Sequence, residues 1–117
     1  MTTDDLERDV RATAVGWAFI RWVSTEDKTD HALKMRLYIV ADCFIQVYAN
    51  IQKRLLSYTL VFNRARFYGR DCESGQWHRH LHDAPNDHDF SPEGMRVVSL
   101  SQFLAETQQI LQSEGIL

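Results

Sequence analysis

The feature that most constrains this fold is a series of four segments in which apolar and polar side chains alternate. In the first segment the alternating residues are Leu33, Met35, Leu37 and Ile39 against Lys34, Arg36 and Tyr38. Strand side chains point alternately to the two faces of a sheet, so this pattern predicts strands with one buried face. Short polar turns separate it from CFIQVYANI, LLSYTLVF and ARFYGRD. Consecutive strands joined by short turns pair antiparallel, and the sequence therefore predicts an antiparallel meander.

Helices are predicted at both ends of the chain. Near the N-terminus, Leu6, Val10 and Ala14 lie four residues apart and acidic residues occupy the first turn, where they complement the helix dipole. Near the C-terminus, LSQFLAETQQILQ carries apolar residues spaced three and four apart. Ser99 and Gln102 fit a capping box before it. Each helix would cover one face of the sheet.

Three further segments complete the predicted fold. AVGWAFIRWV is rich in aromatic and branched residues, which favours a strand, and residues 24–31 are polar and predict a loop. WHRHLH predicts a short strand, and DAPNDHDFSPEG predicts a polar loop. We therefore expect an α+β fold: a twisted antiparallel sheet of five or six strands in a meander, with an N-terminal and a C-terminal helix packed on it. A length of 117 residues predicts a single domain, residues 1–117, with one core.

Charge is distributed unevenly along the chain. The net charge is -3, yet the stretch from Lys34 to Arg79 holds eight basic and three acidic residues, a balance of +5. A basic middle between acidic ends is compatible with a surface that binds an anion such as RNA. The alternative is that these basic residues simply face solvent along the strands.

Several classes of protein are disfavoured. The opening MTTDDLERDV lacks the basic and apolar sections of a secretory signal, and no apolar run approaches the ~20 residues that span a bilayer. The sequence thus predicts a cytoplasmic protein with no membrane contact. Cys43 and Cys72 form no CxxC motif, so a redox or zinc pair of cysteines is not expected.

The segment WHRHLH places His78, His80 and His82 at every second position, on one face of an extended strand. One interpretation is a metal site in which two histidines about 6.5 to 7 Å apart share an ion. Its third ligand would be Asp83, His88 or Asp89, although this spacing matches no zinc motif. A second interpretation is acid–base catalysis, and a third is a solvated, inert edge strand.

The acid–base interpretation rests on what RNA cleavage without a metal needs. A base activates the 2′-hydroxyl, an acid protonates the leaving oxygen and a cation contacts the phosphate. His80 and His82 would be the proton carriers and Arg70 or Arg79 the cation. Tyr68 could replace one proton carrier. No phosphate-binding glycine loop and no nucleophile elbow compete with this hypothesis.

The order of motifs between residues 33 and 112 resembles the TumE-type family of small bacterial proteins, which occur as toxins of toxin–antitoxin pairs. Ser57 and Tyr58 in LSYTL match the family's Tyr-Ser-Tyr strand, and Asp71 matches its Arg-aromatic-Asp segment. His80 and His82 match the last two histidines of its Phe-Pro-His-His-x-His motif. The SLSQFL helix stands where the family's closing helix begins.

The chain departs from the family pattern at two motifs. Gly69 and Arg70 stand in place of the arginine and the aromatic residue, and Arg79 occupies the remaining histidine position. His78 occupies the proline position, and the loop between Asp71 and the histidines is shorter than the pattern.

The resemblance implies a toxin that halts growth by acting on RNA, with a DNA-binding antitoxin as its protein partner. We therefore predict a metal-independent ribonuclease that needs no cofactor. The predicted catalytic residues are His80, His82 and Asp71. The predicted substrate contacts are Arg70, Arg79, Tyr68 and His78. One alternative is a non-catalytic binding or assembly module whose sheet edge pairs with a partner, or with a second copy to form a homodimer. The other alternative is a His/Asp metal-binding protein.

Overall fold

The computed structural model describes all 117 residues and contains two helices and seven strands. In chain order these are α1 (Thr3–Val15), β1 (Trp22–Lys28), β2 (Ala32–Val40), β3 (Cys43–Asn50), β4 (Leu55–Phe62), β5 (Ala65–Glu73), β6 (Gln76–Leu81), β7 (Ala84–Asp89) and α2 (Leu100–Ser113). The strands form one sheet in the order β1-β2-β3-β4-β5-β6-β7, each antiparallel to the next. The predicted α+β meander with a helix from each end is confirmed.

The predicted number of strands, five or six, is wrong because β7 lies in the segment expected to be a loop. β7 pairs with β6 at two positions only, Arg79 with Asp89 and Leu81 with Ala84. An edge strand keeps one side in solvent, so its polar side chains and Pro85 are tolerated there. The polar composition of this segment is therefore the reason why it was predicted to be a loop.

The first strand also begins later than expected. β1 occupies most of the segment expected to be a loop, and its polar residues pair along β2, Ser24 with Arg36 and Asp27 with Lys34. β1 is the other edge of the sheet, which again removes the need for apolar side chains.

Two tight hairpins determine the register that builds the candidate site. Asn63 and Arg64 between β4 and β5 both have positive φ, 54° and 67°, and so do Ser74 and Gly75 between β5 and β6, 50° and 86°. Positive φ at both central residues is typical of two-residue hairpin turns that suit the twist of the strands. These turns align β5 with both neighbouring strands.

The helices cover only one face of the sheet. Val10 of α1 and Phe103 of α2 belong to one buried cluster with inward-facing strand residues such as Leu33, Ile45 and Leu60. No helix lies on the opposite face, here called the open face. Neither helix is long and apolar enough to cross a lipid bilayer.

Cross-strand pairing arranges the open face in rows. One row runs across β2 to β6 through Lys34, Tyr48, Ser57, Asp71 and His78. The alternation seen in the sequence thus brings residues that are far apart in the chain to one surface.

Candidate functional site

Two histidines of β6 contact one carboxylate of β5 on the open face. Asp71 lies opposite His78 in the strand register. The Nε2 atoms of His78 and His80 each lie 3.3 Å from the same oxygen, Oδ2 of Asp71. Both imidazoles are buried and Asp71 is largely shielded. The predicted Asp71, His78 and His80 therefore come together in one site.

The orientation of His80 is defined by its second ring nitrogen. Nδ1 of His80 lies 3.0 Å from the carbonyl oxygen of Pro85. A carbonyl oxygen can only accept, so Nδ1 carries the proton and Nε2 of the neutral ring keeps its lone pair. Burial, and after it the nearby Arg66 guanidinium, lower the pKa of His80, while Asp71 acts in the opposite direction.

Space for the His80 ring comes from Gly69, which lies directly opposite His80 across β5 and β6. A Cβ atom at Gly69 would lie 3.8 Å from Cδ2 of His80 and 3.3 Å from the carbonyl oxygen of Tyr58. A side chain that extends beyond Cβ would compete with the ring for this position.

A third imidazole reaches the site from the edge strand. The ring of His88 lies 4.8 Å, between centroids, from the rings of both His78 and His80. Phe90 packs beside His78 at 5.5 Å. His78, His80, His88 and Asp71 are hereafter the histidine cluster. The sequence indicated His88 only as one of three alternatives for a third metal ligand, because β7 was expected to be a loop.

Two further residues of the site were not identified from the sequence. Ser57 on β4 donates a hydrogen bond of 2.6 Å to Oδ1 of Asp71. Nη1 of Arg66 lies 3.2 Å from Nε2 of His80. Ser57 shares the alternation that faces Asp71 and could have been found from the strand register. Arg66 follows a register shift between β4 and β5, which single-sequence periodicity does not reveal.

The structure places His82 apart from the histidine cluster. β6 ends at Leu81, so the period-two alternation does not continue to His82. The His82 ring instead stacks on Phe67 at 6.0 Å, and its Nε2 lies 3.4 Å from Oε1 of Glu114 beyond α2. His82 is therefore on the helix side of the sheet, away from its predicted partner His80.

Arg79 and Tyr68 also lie on the helix side. Both line a shallow pocket with His82 and Glu106 of α2. Nε and Nη2 of Arg79 lie 2.8 and 2.7 Å from Oδ2 of Asp89. The register of β6 against β7 shifts after Arg79, but this does not bring its side chain to the open face.

Arg70 is fully buried beneath α2. Its Nε and Nη2 donate to the two carboxylate oxygens of Glu106 at 3.0 and 2.6 Å, and Nη1 donates to the carbonyl of Glu93 at 2.7 Å. Burial lowers the pKa of Arg70, but the hydrogen bonds to Glu106, the charges of Tyr68 and Glu106 and the hydrogen bond to Glu93 together outweigh it, so that pKa is raised overall. Because Arg70 is completely buried and each of its three nitrogens donates to Glu93 or Glu106, it is not accessible to a phosphate in this conformation.

The predicted site thus divides between the two faces of the sheet. Asp71, His78 and His80 share the open face with Arg66, whereas Arg70, Arg79, Tyr68 and His82 lie toward α2. The open-face group holds neutral and chargeable imidazoles, a carboxylate and a guanidinium. These groups can exchange protons, contact an anion or bind a cation.

Comparisons with known proteins add no relative: no family model, no curated protein and no solved structure matches this chain. The resemblance to the TumE-type family therefore stays a prediction.

Proposed function

We propose that this chain is the toxin-like component of a toxin–antitoxin pair and cleaves RNA without a metal ion, using the histidine cluster on the open face. The observation that carries the proposal is one carboxylate, Asp71, in contact with two imidazoles, beside the guanidinium of Arg66. These are the base, acid and cation that phosphodiester cleavage through the 2′-hydroxyl requires.

His80 is suited to act as the general base. Its Nδ1 proton is committed to Pro85, and its pKa is lowered, so Nε2 holds a lone pair at neutral pH. Once Arg66 turns from Nε2 to the phosphate, that lone pair accepts the proton of the RNA 2′-hydroxyl as the 2′-oxygen attacks phosphorus.

His78 is suited to act as the general acid, and it replaces His82 as the second proton carrier beside His80. Its Nε2 lies 3.3 Å from Oδ2 of Asp71, and its ring lies 5.0 Å from that of His80, between centroids. It gives its Nε2 proton to the 5′-oxygen as the P–O bond to that oxygen breaks. The products are a 2′,3′-cyclic phosphate and a free 5′-hydroxyl, so one proton is taken up and one is released.

Arg66 replaces Arg70 and Arg79 as the proposed phosphate contact. Arg66 is exposed, and its Nη1 lies 3.2 Å from each ring nitrogen of His80. A guanidinium matches the geometry of phosphate oxygens and remains charged at all relevant pH values. The open face also carries Lys34 and Arg36 of β2. Their positive charge would attract the phosphates of RNA, which supports RNA as the substrate.

The assembly alternative finds less support in the strand edges. At one edge of the sheet, β7 carries Pro85 and charged residues. At the other edge, Arg11 of α1 donates a 3.4 Å hydrogen bond to the carbonyl of Val23 on β1. Natural sheets use proline, charges and covering side chains against edge pairing. The toxin role itself and the DNA-binding antitoxin rest on the family resemblance.

The decisive experiment measures cleavage of single-stranded RNA by untagged protein in the presence of a chelator. We expect His80→Ala and His78→Ala each to lower the rate by about 10²-fold or more, the usual contribution of one acid or base. His31→Ala is the matched control, since His31 is exposed in the turn before β2, apart from the cluster. Undiminished cleavage by the His78→Ala, His80→Ala double variant would overturn the assignment.

A further inference from the structure

The histidine cluster also has the geometry of a metal site. One ring nitrogen from each of His78, His80 and His88 lies within 4.8 Å of the other two. Two of these residues alternate on β6 and the third comes from the neighbouring strand β7. Strands hold side chains more firmly than loops do, which favours a preformed set of ligands.

Asp71 is the candidate fourth donor, because one of its oxygens lies close to two of these three histidines. Oδ2 of Asp71 lies 3.3 Å from Nε2 of His78 and 3.3 Å from Nε2 of His80. In a tetrahedral zinc site with bonds of about 2.0 to 2.1 Å, neighbouring ligand atoms are about 3.3 to 3.4 Å apart. These two edges therefore already have the required length.

The outer hydrogen bonds aim the donors inward. The carbonyl of Pro85 accepts from Nδ1 of His80 at 3.0 Å, which leaves Nε2 of that ring as the ligand atom. Ser57 donates to Oδ1 of Asp71 at 2.6 Å and leaves Oδ2 free. Metal-binding histidines and carboxylates are typically held by such contacts from carbonyls and hydroxyls.

One cation competes for the same place. Nη1 of Arg66 lies 3.2 Å from Nε2 of His80 and donates a hydrogen bond to its lone pair. A divalent ion at Nε2 would repel this guanidinium. Because Arg66 is exposed, its long side chain can turn into solvent when an ion enters.

From these contacts we infer that His78, His80 and His88 form a binding site for one Zn²⁺ ion, with Asp71 beside two of them as the candidate fourth donor. Three imidazoles and one carboxylate suit zinc, whereas Mg²⁺ prefers oxygen ligands and octahedral geometry. An ion held by His78 and His80 of β6 and His88 of β7 would stabilise the β6–β7 edge and keep the lone pair of His80 from other partners. This inference does not depend on ribonuclease activity.

The test is a calorimetric titration in which ZnCl₂ is added to untagged, full-length protein. MgCl₂ serves as the comparison metal. We expect one zinc ion per chain, no comparable Mg²⁺ binding, and the intense visible absorption of tetrahedral Co²⁺ when cobalt replaces zinc. His88→Ala should weaken zinc binding by at least about tenfold, because mutation of a residue that only hydrogen-bonds to a metal ligand already has an effect of that size. His31→Ala should bind like the unmodified protein.

Arg66→Gln provides a variant that should change affinity in the opposite direction. Removing the competing guanidinium should tighten zinc binding, while the same substitution should slow RNA cleavage if Arg66 contacts phosphate. His88 is exposed on the edge strand, so His88→Ala should keep the fold, which circular dichroism verifies.

Absence of stoichiometric zinc binding, equal binding of Mg²⁺, or unchanged affinity in His88→Ala would overturn the inference. Because binding is measured without RNA, failure here is separate from failure of the proposed ribonuclease. A chain that binds zinc and cleaves no RNA would retain the metal site and lose the proposed function.

Discussion

Arg70 and Glu106 form a two-pronged ion pair between the centre of β5 and the middle of α2, with donor–acceptor distances of 3.0 and 2.6 Å. The side chain of Arg70 is completely buried, whereas that of Glu106 is partly exposed. Removing one partner of a buried pair leaves the other charge uncompensated in a medium of low polarity. This contact ties α2 to the sheet at a position where an apolar residue would be expected.

We predict that Glu106→Ala lowers the free energy of unfolding by about 3 kcal/mol, the lower end for a broken buried pair, because Glu93 still contacts Arg70. Urea denaturation measures this change. Glu114→Ala, which alters an exposed acid just beyond the same helix, should cost well under 1 kcal/mol. Equal effects of the two substitutions would contradict the structural role of the pair.

The Gly69 position allows a prediction about the shape of the site. Gly69→Val should push the His80 ring out of place, destabilise the fold by about 1 to 3 kcal/mol through overpacking and abolish RNA cleavage. Gly69→Ala should be milder, since its Cβ meets His80 at ordinary contact distance and only the Tyr58 carbonyl closely. Activity and urea unfolding distinguish the two variants. A fully active Gly69→Val protein would show that the His80 ring does not need this space.

A pH dependence is expected from the contact between α1 and β1. Glu7 accepts a 2.6 Å hydrogen bond from Thr25 and lies 3.1 Å from Nζ of Lys28, and these contacts lower the pKa of Glu7. A carboxylate with a depressed pKa stabilises the fold above its unfolded pKa of about 4.3 and loses this contribution as the pH falls below it. Glu7→Gln should therefore be less stable than the unmodified protein at pH 7.

The difference between Glu7→Gln and the unmodified protein should shrink as the pH falls below about 4, since both then carry a neutral side chain. Denaturation midpoints at pH 7 and at pH 3 measure it. Asp9→Asn, on an exposed position of the same helix, should show no such pH-dependent gap. A gap that grows toward low pH would contradict the assigned contact.

Zinc should inhibit RNA cleavage if both proposals hold. The ion would occupy Nε2 of His78 and of His80, the two atoms that carry protons in the proposed reaction. Cleavage rates with one equivalent of ZnCl₂, and again after addition of chelator, measure the effect, with MgCl₂ as the control. Faster cleavage with zinc would show that the reaction uses the metal and would refute the metal-independent mechanism.

Local periodicity was sufficient for the central part of this fold. Alternation from Leu33 to Ile39 and in the next three segments predicted the meander, and the pair Ser99 and Gln102 predicted the start of α2, where both capping hydrogen bonds are present. These features follow from contacts within a strand or within one helical turn. Such short-range rules are readable from a single sequence.

Edge strands and the composition of the site were decided by tertiary structure. β7 is polar because one of its sides faces solvent, so it lacks the alternation of apolar and polar residues that predicts a strand. The sequence therefore did not predict that β7 brings His88 to His78 and His80. Side-chain alternation placed Asp71 and the two histidines on one face, but the end of β6 at Leu81 removed His82 from that face.

The sequence by itself determined the central strands of the sheet, the two helices and the residue types available for chemistry, because these depend on local spacing. Only the tertiary structure decided that Arg70 is bound to Glu106 under α2, while Arg66 reaches the open face beside His80. Both are arginines of the same strand. A register shift and the packing of a distant helix separate their roles, and neither is encoded in the spacing between them.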